Sequence, residues 1–79
     1  STNRDFKQAI KWLLDAEKLN PQNFHYPNLR QKIASENKDY ASAIEKTKRA
    51  VSLADKEKMK KTIETLNNKI ASWELLLKK

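Results

Sequence analysis

Cysteine and glycine are both missing from this 79-residue sequence, which has two prolines and a single histidine. Without cysteine there are no disulfides, no thiolate metal sites and no cysteine nucleophile, and nothing hints at a redox compartment. Without glycine there is no loop of the kind that cradles phosphates. Few breakers also suit helices joined by tight connections and argue against a β-rich fold. No apolar run approaches the ~18 residues that would span a bilayer, and no basic-then-apolar signal segment opens the chain. No membrane span is expected, and the cytoplasm is the default compartment. The opening Ser1-Thr2-Asn3 reads as a trimmed or mature start, which leaves room for the sequence to be part of a longer protein.

Catalytic and metal-binding patterns are equally sparse. His25 has no cysteine and no carboxylate at a metal-ligand spacing, so it reads as a turn residue. Asp15 with Glu17, and Asp55 with Glu57, stand two apart and would face different directions on a helix, unable to act on one bond. Ser35, Ser42 and Ser52 have no histidine placed to activate them. The expectation is a protein that is not an enzyme and that holds no cofactor and no metal.

What the sequence does have is positive charge. Seventeen basic residues against ten acidic ones give a net charge of +7. Such an excess raises the question of an anionic partner, but most of it is lysine mixed with acids, which is also how helix faces stay soluble. The densest basic cluster is Lys56, Lys58, Lys60, Lys61 and Lys69. It reads first as the polar face of an amphipathic helix. The alternative is a basic helix lying on nucleic acid or an anionic surface, but no aromatic residue for base stacking stands between Lys56 and Lys69.

An internal echo organises the rest. Asp5, Phe6, Ala9, Ile10, Ala16 and Leu19 precede Asp39, Tyr40, Ala43, Ile44, Ala50 and Leu53 by 34 positions, five of the six pairs being identical. A 34-residue period filled by helical patterning points to stacked helical hairpins. Helix one is expected from about Asn3 to Leu19, with Thr2 and Asp5 at capping-box spacing and Phe6, Ala9, Ile10, Leu13 and Ala16 in one stripe. Trp12 and Leu14 fall beside that stripe; Trp12 and Trp73 both read as packing residues, and either becomes an interface anchor if exposed. Asn20-Pro21 ends the helix. Helix two is expected from about Phe24 to Glu36, with Pro27 confined to its first turn and Asn37 taking the left-handed turn. Helix three should run from an Asp39 N-cap to about Ala54, its apolar face lined by Tyr40, Ala43, Ile44, Thr47, Ala50, Val51 and Ala54. On an unbroken helix Met59 would lie about 140° from Ala54, so a turn with Asp55 as N-cap is expected there. Helix four then covers about Lys56 to Lys78, with Met59, Ile63, Leu66, Ile70, Trp73 and Leu77 as its stripe.

Asp-aromatic-x-x-Ala-Ile, with Ala and Leu following and Asn-Pro closing the first copy, resembles the second helix of a tetratricopeptide repeat (TPR). Residues 24–53 look like one full repeat and residues 5–21 like the trailing helix of a preceding one, with helix four as a capping helix. The match departs from the family at the Asn37-Lys38 turn, which lacks the usual glycine, and at Arg30 or Gln31, which stands where a small residue normally sits. The resemblance implies an all-α fold: an antiparallel four-helix array of TPR-like hairpins with a long C-terminal capping helix, one domain over residues 1–79. It implies a non-catalytic protein–protein interaction or scaffolding module, with a protein or peptide as the expected partner. The partner-binding face carried over from the family is Phe24, Pro27, Asn28, Gln31, Ala34 and Ser35. Helix one, resembling half a hairpin, is where self-association is expected.

Overall fold

The computed structural model describes residues 2–79, with side chains from Lys7 onward. Among these residues it is all-α, with helices α1 (Thr2–Leu19), α2 (His25–Glu36), α3 (Tyr40–Leu53) and α4 (Lys60–Leu77). The Thr2 and Asp5 capping box and the Phe6 position lie outside the described side chains. Every helix boundary falls within one residue of the sequence expectation except the start of α4. No helix among the described residues is long and apolar enough to cross a membrane.

Each connection has a local cause. At the first, Pro21 cannot continue α1, and Asn23 Oδ1 accepts from the His25 backbone N–H at 2.9 Å to open α2. Pro27 sits in the first turn of α2, where its missing donor costs nothing. At the second, the Asp39 N–H donates to Ala34 O at 2.9 Å and the Lys38 N–H to Ser35 O at 3.0 Å. This is a Schellman closure, and its left-handed residue is Lys38 at φ 60°, one position later than expected. Asn37 is the C-cap at φ −86°, because the carbonyls needing a partner are one residue further along. Asp39 then caps α3, its Oδ1 accepting from the Ser42 N–H at 3.2 Å.

The third connection breaks where the stripes demand it. Ala54 leaves the helical region at ψ 144°, and Asp55 Oδ1 accepts from the N–H groups of Glu57 at 2.9 Å and Lys58 at 3.0 Å. Residues 56–59 form a turn, so α4 begins at Lys60 rather than at the expected Lys56. At 18 residues α4 is no longer than α1. Within the turn, Lys56 Nζ donates to Val51 O at 3.4 Å, at the C-terminal end of α3 where a cation is favourable.

Consecutive helices pack together, most extensively α2 on α3 and α3 on α4, and least α1 on α2. The molecule is a slab, 37 × 35 × 15 Å. That thickness accommodates two helix layers at an interaxial distance of about 8–10 Å. Its core is centred on α3, whose Ala43, Ile44, Thr47 and Ala50 are buried together with Ala54 just beyond its end. Leu13 of α1, Pro27 and Gln31 of α2, and Leu66 and Ile70 of α4 close around it. Tyr40 stacks on Trp73 at 6.5 Å between ring centres, joining α3 to α4.

The two copies of the repeat are not equally covered. Ala43 is wholly buried, whereas its counterpart Ala9 is exposed and Ala16 only half-buried. The reason is positional: α3 has helices packed closely on two sides, whereas among the described residues α1 packs closely only on α2 and faces α3 across open recesses lined by Ile10 with Lys46 and by Leu14 with Arg49. The far end of the α4 stripe is also open, with Leu77 exposed beside Leu75 and Leu76.

Ala43→Leu should therefore destabilise the fold by ~2 kcal/mol through overpacking, while Ala9→Leu should stay within about 0.5 kcal/mol of the parent. Urea denaturation of both variants measures the contrast. Acidification probes the third connection. Hydrogen bonds from the backbone of Lys58 and then of Glu57 hold the Asp55 carboxyl below its ordinary value of 3.8. Its stabilising contribution is complete above 3.8 and is lost as the pH falls below that through the lowered value. Asp55→Asn keeps an acceptor but no titrating charge, so its thermal stability should fall less than the parent's between pH ~5 and ~2.

Candidate functional site

α2 and α4 both seat on α3 and leave a groove between them of about 470 Å³. Steps of four along each helix set its two walls. Asn28 and Lys32 line the α2 side, and Lys61, Thr65 and Lys69 the α4 side, with Thr62 beside them. Leu66 and Gln31 form the floor, Gln31 being 0% exposed.

The groove is one-signed. Three of its lining residues are lysines and none is acidic. Among the described residues the ion pairs are Arg30–Glu17 at 2.6 Å, which ties α2 to α1, and Lys46–Glu45 at 3.7 Å. None of Lys32, Lys61 and Lys69 belongs to either. Other carboxylates are engaged in building the backbone: Asp39 and Asp55 accept from main-chain N–H groups.

Gln31 is the unusual member. Its Nε2 donates to Asn28 Oδ1 at 3.0 Å, while its buried Oε1 finds no donor among the described residues. An orphaned buried acceptor costs about 1–3 kcal/mol. The other wholly buried polar side chain, Thr47, is satisfied, since its Oγ1 donates to Ala43 O at 2.7 Å.

The structure redistributes the residues singled out from the sequence. Of the family-derived face, Asn28 and Gln31 line the groove, while Pro27 is buried and closed to any partner. Ala34 opens instead into a separate recess of about 190 Å³ with Ile10, Arg30 and Ile33. Phe24 and Ser35 are half-buried and line neither. Of the basic cluster, Lys61 and Lys69 reach the groove; Lys56 and Lys58 stay on the turn and Lys60 is exposed outside it. Lys32, Thr62 and Thr65 join the site without having stood out in the sequence, although Asn28 with Lys32, and Lys61 with Thr65 and Lys69, are spaced as two rows. His25 is exposed, its ring edge-on to Phe24 at 5.6 Å. No cluster of metal-ligating side chains occurs among the described residues.

A second surface lies on α1. Trp12 is 62% exposed, although its ring meets Tyr26 edge-on at 6.4 Å, and Leu14 and Leu19 are exposed as well. Trp12 is thus the interface-anchor alternative rather than a core residue, whereas Trp73 packs against Tyr40.

No protein-family model matches the chain, and no curated protein or solved structure matches it.

Replacing Gln31 by methionine keeps the unbranched shape and removes the orphan oxygen. Gln31→Met is expected to raise the unfolding free energy by ~1 kcal/mol, read from urea denaturation. A loss of stability would show that the carboxamide is fully satisfied in the fold.

Proposed function

We propose that this chain is a non-catalytic protein–protein interaction module of scaffolding type, an antiparallel array of TPR-like hairpins with α4 as the capping helix. The observation that supports this reading best is the open groove held between α2 and α4 by their common seat on α3. A groove of about 470 Å³ walled by rigid helices suits an extended polypeptide segment. The exposed Trp12 flank offers a second place for a protein partner or another copy of the chain.

The runner-up is a basic helical module that binds nucleic acid or an anionic surface. It is favoured by the net charge of +7 and by the three groove lysines outside any ion pair among the described residues. Against it, the groove lining includes no aromatic side chain on which a base would stack.

Two measurements separate the readings. A random peptide library panned on the immobilised chain is expected to yield peptides that compete with one another for binding. Anisotropy titrations with generic DNA and RNA are expected to show only weak binding. Tight nucleic-acid binding that weakens steeply between roughly 50 and 200 mM salt, with no enriched peptide, would overturn the proposal.

A further inference from the structure

We infer that the groove between α2 and α4 takes an extended, acidic peptide segment, its carboxylates on Lys61 and Lys69. The inference rests on the protein-binding reading and supplies the chemistry of the partner.

Charge is the first support. Lys32, Lys61 and Lys69 converge on a lining that holds no acid, and none of them is spent in an ion pair among the described residues. Leu66 belongs to the same lining, and the lysine ammonium groups are left to be neutralised from outside.

The lining is the second support, and it chooses between anions. Single-stranded nucleic acid is held by stacking of its bases as well as by its phosphates, and the lining has no aromatic side chain to hold an unstacked base. A peptide needs no such platform, since its side-chain carboxylates meet the lysines directly.

Spacing narrows the peptide further. Lys61 and Lys69 are separated by eight residues on one helix face, or ~12 Å at 1.5 Å per residue. One chain-terminal carboxylate cannot serve both. An extended strand advances ~3.3 Å per residue and returns to the same side every second one, so acids at i and i+4 lie ~13 Å apart on a shared face. An internal segment with that pattern fits the lysine row, and Lys32 meets a third acid from the opposite wall.

The test uses the full chain and fluorescein-labelled peptides that are acetylated and amidated, so that no terminal charge contributes. One carries Glu at i and i+4, and its partner carries Gln at both places. The acidic peptide is expected to bind, and the Gln version to bind at least about fivefold more weakly. Lys61→Ala with Lys69→Ala should cost a similar factor. Lys56→Ala with Lys58→Ala, outside the groove, should stay within about twofold, with circular dichroism confirming equal helix content. Equal binding of the Gln peptide overturns the inference. So does equal loss from the turn lysines, or equally effective competition by single-stranded DNA of matched charge. If library-selected peptides bind regardless of charge and ignore Lys61 and Lys69, the partner's chemistry is wrong while the protein-binding reading stands. If no peptide is selected and nucleic acid binds tightly, both fall.

Discussion

Everything in this molecule leans on the small-residue face of α3. Ala43, Thr47 and Ala50 are wholly buried, with Ala54 nearly so, which lets two helices approach one backbone from different sides. Alanine contributes little apolar area, so the gain comes from close packing and dispersion rather than from large side chains. Ile44, Leu66, Ile70 and Leu13 are the large apolar side chains among the buried residues. The core is therefore thin for its length, and geometry matters more than bulk. Because α2 and α4 share that seat without packing on each other among the described residues, a groove remains between them.

The ends of the array follow the opposite rule. α1 has one close neighbour among the described residues, and its Trp12, Leu14 and Leu19 meet solvent; at the other end Leu75, Leu76 and Leu77 do the same. In a stacked architecture only interior helices are covered twice, so a repeated sequence acquires unequal environments. Ala9 and Ala43 illustrate this: the same residue at equivalent positions of the repeat is exposed in one and sealed in the other. The Arg30–Glu17 pair and the Arg49 guanidinium, whose Nη2 donates to Pro21 O at 3.1 Å, fasten α1 where apolar contact is slight.

Polar groups at the centre differ in how far the fold satisfies them. Thr47 returns its proton to the carbonyl a turn earlier and is finished within the fold. Gln31 is buried with an acceptor that finds no donor among the described residues. A fold tolerates such an atom where something else supplies its partner. It lies beneath the groove and belongs to the core rather than to the surface.

Local physics is legible in the order of the residues alone. Proline ends α1, Asp39 and Asp55 cap the segments that follow them, and a stripe falling ~140° out of phase locates the break after Ala54. Each of those depends only on neighbours in the chain. The start of α4 is harder to read because a hydrogen-bonded turn over residues 56–59 resembles the helix it precedes. Tertiary structure alone decided which copy of the repeat would be buried, that Pro27 would be sealed and that Trp12 would not. It alone joined Asn28, Gln31 and Lys32 to Lys61, Thr65 and Lys69, residues some 30 positions apart on separate helices. A helix's sequence specifies its own faces, but which faces meet depends on how α2 and α4 share one narrow seat on α3.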